Sequence, residues 1–277
     1  MLTRMSAPQS PRRAQTPLVW RVMCAIDAAV VRSVGKIEIT GEFPAELRGK
    51  PVLVTANHIG MFDPFVLMEA CRKAGFLPRF MLTGGLLDAP VLGFFLRAAG
   101  HLRVDRGKAN IADAFGRATE TLKTAQVPLL LYPEGRVSRE PGLWPERGKT
   151  GAARMALNGG VPVVTISQWG AHEAVCWGTE TVSGWADVKP LVVSFFKAVR
   201  RRPVFRVHFG PRVDLSDLAD GKPGDAVKAH ARIMRQITEH LVELRKSEPD
   251  TPAFHDPTRP TDSVSPWRPT VETAQPK

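Results

Sequence analysis

The stretch Pro51–Pro64, PVLVTANHIGMFDP, joins an apolar run to a group of polar residues. The run Pro51–Ala56 is almost entirely apolar, which predicts a short strand buried inside a sheet. A strand that ends in Asn57 and His58 can direct polar side chains into a cleft. Asp63 follows five residues after His58, and a chain that turns into a helix here brings the carboxylate back towards the imidazole.

The pairing of His58 with Asp63 has two interpretations. Imidazole titrates near neutrality, so a carboxylate that keeps one ring nitrogen protonated leaves the other free to accept a proton. Such a pair would activate a hydroxyl of the substrate rather than one of the protein. The alternative is structural, because Asp63 followed by Pro64 is typical of a helix N-terminus. These residues alone favour the structural interpretation, and the rest of the chain shifts the balance.

Apolar runs alternate with amphipathic segments along most of the chain. Strands are predicted at 36–40, 51–56, 80–82, 127–132, 161–166 and 204–209, and helices at 17–34, 65–74, 90–99, 109–125, 150–158 and 224–245. Strands that alternate with helices predict an α/β fold with a mainly parallel central sheet flanked by helices. Functional groups in such sheets gather beyond the carboxyl ends of the strands, where three of the candidate motifs fall.

The composition is that of a folded and strongly basic protein. Of 277 residues, 43% are hydrophobic and 23% are charged, which excludes a disordered chain. Lysine and arginine total 38 against 27 acidic residues, so an anionic partner is expected, either nucleic acid or an anionic membrane surface. Three scattered cysteines offer neither a disulfide framework nor a zinc site, which suits a reducing cytosol.

Four regions are expected along the chain. Residues 1–16 are polar and predicted to be disordered, without the apolar stretch of a signal peptide. Residues 17–35 are predicted to form a helix whose apolar part is too short to cross a membrane. Trp20 and the flanking arginines suit a helix at the bilayer interface. The alternative is a helix packed on the domain surface. Residues 36–245 form the main domain, and the proline-rich segment 246–277 is predicted to be a disordered tail.

Three further motifs carry residues suited to a phosphorylated substrate. They are GHLRVDRG at 100–107, YPEGRVS at 132–138 with RGKTG at 147–151, and VPV at 161–163. Arg106, Arg136 and Lys149 follow or adjoin glycines in predicted loops, from which cationic side chains can reach a phosphate. Each motif alone is weak, because Asp-Arg is usually a surface ion pair and Pro-Glu-Gly is usually a turn.

Together and in this order, the motifs resemble those of the glycerolipid acyltransferase family, whose standard members are bacterial lysophosphatidic acid acyltransferases (PlsC type). That family carries an Asn-His-x4-Asp block, a glycine-rich block ending in Arg, a Phe-Pro-Glu-Gly-Thr-Arg-Ser block and a Val-Pro-Ile/Val block. The similarity covers roughly residues 36–215, so that 36–245 would be the acyltransferase domain. The run LWP at 143–145, followed by GKTGAAR at 148–154, is most similar to actinobacterial members.

The resemblance implies roles for the residues of the first two blocks. His58 would be the general base on the acceptor hydroxyl, and Asp63 would orient it. Asn57 would contact the substrate beside this pair, and Arg106 would bind the acceptor phosphate. The developing oxyanion needs a hydrogen-bond donor, for which backbone amides near the His58 turn are one possibility. The resemblance implies no metal ion and no cofactor, with acyl-CoA or acyl-carrier protein (acyl-ACP) as the co-substrate.

The third block carries one departure from the family. Glu134 and Gly135 match it and would help to shape the acceptor site, with Lys149 as a further substrate-binding cation. Where the family has Thr-Arg after Glu-Gly, this chain has Arg136 followed by Val137. The arginine is displaced by one position, so the acceptor head group can differ from glycerol phosphate.

The resemblance predicts acyl transfer to the free hydroxyl of lysophosphatidic acid, giving phosphatidic acid. Three alternatives stay open: a different acceptor such as a mannosyl glycolipid, a thioester hydrolase that uses the same His–Asp pair on water, and a non-catalytic basic module. The expected partners are a lipid acceptor, an acyl thioester donor and an anionic membrane, without nucleic acid. The expected location is peripheral, on the cytoplasmic face of the plasma membrane.

Overall fold

Seven strands and eight α-helices make up the part of the chain that the computed structural model describes, namely residues 17–104, 111–125, 127–177, 184–218, 222–248 and 250–269. The strands are β1 (Lys36–Gly41), β2 (Leu53–Ala56), β3 (Arg79–Thr83), β4 (Leu102–Val104), β5 (Leu129–Leu131), β6 (Val163–Trp169) and β7 (Val204–Arg212). The helices are α1 (Leu18–Val34), α2 (Asp63–Lys73), α3 (Gly84–Asp88), α4 (Leu92–Ala98), α5 (Ile111–Ala125), α6 (Gly151–Gly159), α7 (Trp185–Arg201) and α8 (Asp225–Leu244).

The strands form one sheet in the order β1-β7-β6-β2-β5-β3-β4. The five strands from β6 to β4 run parallel, β7 is antiparallel to β6, and β1 is parallel to β7. Every residue of β2, β5 and β6 is buried, as expected for strands covered by helices on both faces. The prediction of an α/β fold with a mainly parallel sheet is therefore confirmed.

Helices cover the sheet on both faces and form two hydrophobic layers. Because successive side chains of a strand point to opposite faces, Val54 packs in the layer with α1, α2 and α7, whereas Leu53 packs in the layer with α5, α6 and α8. The loops that follow β2, β5 and β6 therefore leave the sheet at one edge, between the two layers.

Three elements of the fold were not predicted. The strand β4 has only three residues and α3 only five, and α7 contains Pro190, a residue that usually marks a helix end. The helix predicted at 90–99 corresponds to α4. The break between α3 and α4 falls at Ala89 and Pro90, because the residue before a proline is disfavoured in the helical conformation.

The orientation of α1 differs from the interfacial arrangement suggested by its tryptophan. Trp20 is 3% exposed, and its ring packs edge-on against Phe80 and His101 at centroid distances of 6.4 and 4.5 Å. The outward face of α1 instead presents Leu18 and Val22, together with Ile26 one turn further on. Among the described residues, no helix combines the length and the apolarity that a membrane crossing requires.

The predicted disorder of the proline-rich tail is wrong for the segment 250–269, called here the C-terminal strap. The Ser265 hydroxyl donates a hydrogen bond to the Pro145 carbonyl at 2.6 Å, and Trp267 Nε1 donates to the Glu146 carbonyl at 3.1 Å. Proline-rich backbone can be held in place by side-chain contacts without joining a sheet, which composition alone does not reveal. The predicted disorder of 1–16 and of the last eight residues falls outside the described residues.

Candidate active site

His58 and Asp63 meet at the carboxyl end of β2. His58 Nδ1 lies 2.8 Å from Asp63 Oδ2, and Asp63 is the first residue of α2. The carboxylate is fully buried, whereas the imidazole side chain is 13% exposed. Because a carboxylate only accepts hydrogen bonds, Nδ1 is the donor and Nε2 is left with its lone pair. The pair therefore has the arrangement of a base and its orienting partner.

The Asp63 carboxylate also closes the turn before α2. Its Oδ2 accepts hydrogen bonds from the backbone N–H groups of Ile59 and Gly60, at 2.6 and 3.0 Å. The side chain therefore binds residues upstream of the helix and makes no capping bond within it, unlike the helix-cap interpretation of the Asp-Pro pair. A side chain at position 60 would meet His172 Cα at 2.9 Å, so only glycine fits here.

Tyr132, which follows β5, forms one wall of the His58 site. The two rings stack with a centroid distance of 3.9 Å and an interplanar angle of 12°. Burial raises the pKa of the Tyr132 hydroxyl well above its usual value, and the nearby Asp63 charge adds to the rise. Tyr132 therefore stays neutral and acts as a flat surface that limits rotation of the imidazole.

Glu134 supports His58 through the main chain, whereas the sequence had suggested that it helps to shape the acceptor site. Its Oε1 accepts the His58 N–H at 2.7 Å, and its Oε2 accepts the Glu146 N–H at 2.8 Å. The His58 carbonyl in turn accepts the Ser138 N–H at 2.7 Å. Burial raises the pKa of Glu134 to about 8. Both main-chain groups of His58 are thus bound to the loop that carries the third motif.

Asn57 holds two strands together, which corrects the expectation that it contacts substrate. Its side-chain amide donates to the Gln168 carbonyl at 3.0 Å and accepts the Gln168 N–H at 2.8 Å. Gln168 Nε2 returns a bond to the Asn57 carbonyl at 3.0 Å. Both residues are fully buried, so the Asn57 amide has no free face towards a ligand.

The amides expected to stabilise an oxyanion are already used. The N–H of His58 binds Glu134, and the N–H groups of Ile59 and Gly60 bind Asp63. A group that donates a hydrogen bond inside the protein is not free to stabilise a developing charge on the substrate. The oxyanion donor must therefore come from elsewhere than these three amides.

Arg136 is paired within the protein through two of its three guanidinium nitrogens, and the phosphate contact expected of it stays a prediction. Its Nε and Nη2 both lie 2.9 Å from Glu146 Oε2, and Nη2 lies 3.7 Å from Asp262 Oδ1. The displaced arginine thus holds the third motif against the C-terminal strap. Arg106, the other predicted phosphate ligand, falls outside the described residues.

A cavity of about 600 Å³ opens beyond the carboxyl ends of β3, β4 and β5, between α5 and α6. Its lining includes the apolar residues Met81, Val104, Phe115, Leu131 and Met155, and also Tyr132, Gly135, Lys149 and Arg154. Gly135 has φ +74°, and its N–H closes a turn onto the Tyr132 carbonyl at 3.0 Å. Among the described residues no carboxylate pairs with the Lys149 ammonium. The structure therefore brings Gly135 and Lys149 together at a cavity that is also lined by Tyr132, the residue whose ring stacks on His58.

Several residues of the site were not found from the sequence. Tyr132, Gln168 and Glu146 act through a ring stack or main-chain contacts, which leave no spacing pattern to read. Their partners lie on other loops and become neighbours only in the fold. Among the described residues, no cluster of three or more His, Cys, Asp or Glu side chains is placed to hold a metal ion.

An α/β sheet with an ordered His–Asp pair beyond its parallel strands defines an enzyme site of the acid–base type. The model of the protein family described as Acyltransferase matches residues 36–169, which include this pair and the third motif. Residues 36–169 are therefore similar to the members of that family. The predicted similarity to actinobacterial members stays a prediction.

Curated relatives carry a more specific description. The 1-acyl-sn-glycerol-3-phosphate acyltransferase of Saccharomyces cerevisiae is 30% identical over 47% of this chain and 42% of its own length. The proteins of the same description from Neisseria meningitidis and Escherichia coli are both 29% identical, over 58% and 47% of this chain and 56% and 51% of their own lengths. The chain spans about half the length of the curated relatives it matches. The solved lysophosphatidic acid acyltransferase PlsC from Thermotoga maritima aligns over 80% of both chains, with 15% identity and a TM-score of 0.49.

Proposed function

We propose that this protein transfers a fatty acyl group from acyl-CoA or acyl-ACP to the free hydroxyl of lysophosphatidic acid, giving phosphatidic acid for phospholipid biosynthesis. The observation that carries the proposal is the 2.8 Å contact between His58 Nδ1 and Asp63 Oδ2 inside the segment 36–169 that the Acyltransferase family model matches. The description shared by the yeast, Neisseria and Escherichia relatives supports the choice of acceptor.

In this mechanism, His58 acts as a general base. Its Nε2 accepts the proton of the acceptor hydroxyl while the hydroxyl oxygen attacks the carbonyl carbon of the thioester. The carbon–sulfur bond then breaks, and the thiolate takes up the proton from the imidazolium and leaves as a thiol. Asp63 stabilises the imidazolium between these steps and keeps Nδ1 protonated throughout.

The cavity next to Tyr132 is the proposed acceptor site. Lys149 is an exposed ammonium at this cavity without an acidic partner among the described residues, so it can bind a phosphate group. The apolar side chains of Phe115 and Met155 provide surface for the acyl chain of the lysolipid. Tyr132 lines the cavity and stacks on His58, so a lipid bound here would contact the residue that packs directly against the base.

The protein is also proposed to bind peripherally to an anionic membrane, on its cytoplasmic face. Leu18, Val22 and Ile26 lie four residues apart along the outward face of α1, with 71%, 50% and 60% of their surface exposed. Helix α4 packs against α1 and exposes Phe94 and Phe95 in addition. An apolar helical surface on a protein with a net charge of +11 suits the boundary of an anionic bilayer.

The test of the proposed function is the release of free thiol from acyl-CoA and acyl-ACP by the purified protein, with and without lysophosphatidic acid. The wild type should release thiol only with the acceptor, in step with formation of phosphatidic acid. His58→Ala should lower kcat by ~10²-fold or more while remaining folded, because loss of a general base typically costs that much. His255→Ala, which removes an exposed histidine, is the matched control and should keep full activity.

Two further variants test the acceptor site in the same assay. Lys149→Met should raise KM for the acceptor by about 10-fold or more, because this change in affinity corresponds to the free energy of one charge-assisted hydrogen bond. Arg136→Met should change that KM much less, since its guanidinium is bound to Glu146. Full activity in the His58 variant would contradict the role of His58 as general base. Equal effects of the Lys149 and Arg136 variants would contradict the role of Lys149 in binding the acceptor phosphate.

A second candidate acceptor is supported by the pairing of Arg136 with Glu146. This pairing removes one cation from the phosphate-binding set that the family's third block implies, which leaves room for a glycolipid acceptor such as a mannosyl lipid. Thiol release that requires a glycolipid, and ignores lysophosphatidic acid, would favour this candidate. Release without any acceptor would point to thioester hydrolysis instead.

A further inference from the structure

Arg259 in the C-terminal strap reaches the main chain of the catalytic turn. Its Nη1 donates a hydrogen bond to the Ser138 carbonyl at 2.7 Å, and its Nη2 donates to the Ile59 carbonyl. Ile59 belongs to the turn between His58 and Asp63, and the Ser138 N–H binds the His58 carbonyl. One guanidinium thus connects the turn that carries the base to the loop that supports it.

The charge of Arg259 lies in a partly buried environment with few partners. Its guanidinium faces the Trp177 ring at 5.2 Å from the centroid, and burial lowers its pKa from the usual arginine value. The titratable groups that interact with its charge are Asp63, Asp256, Cys176 and His172. Among the described residues, Asp63 Oδ1 has no hydrogen-bond partner, and the positive charge of Arg259 acts on this carboxylate. Arg259 is therefore placed to influence both the position and the electrostatics of the pair.

The strap is anchored on both sides of Arg259. On the N-terminal side, Asp256 Oδ2 accepts the Trp177 N–H at 2.5 Å. On the C-terminal side, the Asp262 N–H donates to the Arg139 carbonyl at 3.2 Å. The position of Arg259 is thus fixed by its neighbours in the strap and does not depend on its own two hydrogen bonds alone.

We propose that Arg259 is a positioning residue for acyl transfer, which fixes the His58–Asp63 turn against the third-motif loop and places a positive charge beside the buried Asp63 carboxylate. The importance of this role for catalysis rests on the proposed function. The effect on His58 itself rests only on the geometry, so it can be measured whether or not the protein transfers acyl groups.

Two substitutions separate the two parts of the role. Arg259→Gln removes the positive charge, whereas Arg259→Lys keeps the charge and loses the planar fork that spans two carbonyls. Arg268→Gln is the matched control, because this arginine lies in the same strap and contacts Glu140 and the Asp250 carbonyl instead of the catalytic turn.

The primary experiment follows the titration of His58 in the full-length protein by NMR of its ring atoms, assigned by the loss of the signal in His58→Ala. The imidazole contacts the Asp63 carboxylate and the Tyr132 ring, and Glu134 binds the His58 main-chain N–H; all three groups are the same in every variant. Removal of a nearby cation favours the protonated imidazole, so Arg259→Gln should raise the His58 titration midpoint above that of the wild type. Arg259→Lys and Arg268→Gln should leave the midpoint close to that of the wild type.

The second readout is acyl transfer to lysophosphatidic acid. Both Arg259 variants should lower kcat by ~10-fold or more with KM values within about twofold, because positioning acts on the reaction step and not on binding. The acid limb of the pH profile should move upwards in Arg259→Gln alone. If this variant does not fold, Arg259→Lys still tests the loss of the fork through kcat.

The outcomes distinguish the two proposals. An unchanged His58 midpoint in Arg259→Gln, together with unchanged kcat in both Arg259 variants, would overturn the positioning role even if the wild type is fully active. Equal effects from Arg268→Gln would also overturn it, because they would show a general loss of stability. A shifted midpoint in Arg259→Gln, combined with a wild type that transfers no acyl groups, would reject the proposed function and support the role of Arg259 in holding His58.

Discussion

Replacement of Asn57 by alanine should destabilise the protein without weakening substrate binding. The Asn57 amide exchanges two hydrogen bonds with the main chain of Gln168, at 3.0 and 2.8 Å, and both residues are fully buried. Alanine removes these bonds and leaves an N–H and a carbonyl of β6 without the partners that they have in the wild type. A buried main-chain group that loses its partner costs about 1–3 kcal/mol. We therefore expect the free energy of unfolding to fall by about 2–4 kcal/mol.

The substitution Asn57→Asp adds a pH dependence whose sign follows from the same contacts. The carboxyl group that it introduces can still donate to the Gln168 carbonyl while it is protonated, whereas the ionised carboxylate directs a second acceptor at that carbonyl. The folded state therefore favours the protonated form, so the pKa of the introduced carboxyl group is higher in the folded state than in the unfolded state. Stability close to that of the wild type should be present below the unfolded pKa and lost as the pH rises through the folded value.

The assay is urea unfolding followed by the fluorescence of the six tryptophans, combined with the KM for lysophosphatidic acid. Asn158→Ala, at an exposed position of α6, is the matched control and should stay within about 0.5 kcal/mol of the wild type. An Asn57→Ala protein with wild-type stability and a raised acceptor KM would refute the structural role and restore the substrate contact expected from the sequence.

Two further predictions concern other parts of the fold. Burial, together with the nearby Glu69 charge, raises the pKa of Asp27 in α1 to about 8. Folding therefore takes up a proton at Asp27, and the free energy of unfolding of the wild type falls as the pH rises from about 5 to 7.5. Asp27→Asn should gain about 1.4 kcal/mol per pH unit relative to the wild type over this range in urea unfolding, and a constant difference would contradict the assignment. Phe94→Glu should reduce sedimentation with phosphatidylglycerol-containing vesicles, whereas the same change at the exposed Val227 of α8 should not; equal losses would argue against the proposed membrane surface.

The parts of the fold that were predicted correctly have strong local signals. The strands β2 and β6 have apolar sequences, and α8 has a long amphipathic pattern. Each of these patterns predicts its element without reference to the rest of the chain. The strand β4 has only three residues, one of them exposed, and offers no such signal. The strap 250–269 is held by individual side chains that bond to distant carbonyls, so its order is a property of the fold rather than of its composition.

The same distinction between local signals and long-range contacts applies to the residues of the site. His58 and Asp63 are joined by a single turn, and their five-residue spacing, taken together with the other three motifs, predicted that the two side chains meet. The position of Arg136 depends on Glu146 and on Asp262 of the strap, and no local spacing could show that these carboxylates occupy its guanidinium. A motif that resembles a family block therefore predicts which residues lie near the site more reliably than which of them face the substrate. Here the polar residues around His58 are used largely to fix the main chain on both sides of it, and the ring itself is held by Asp63 through Nδ1.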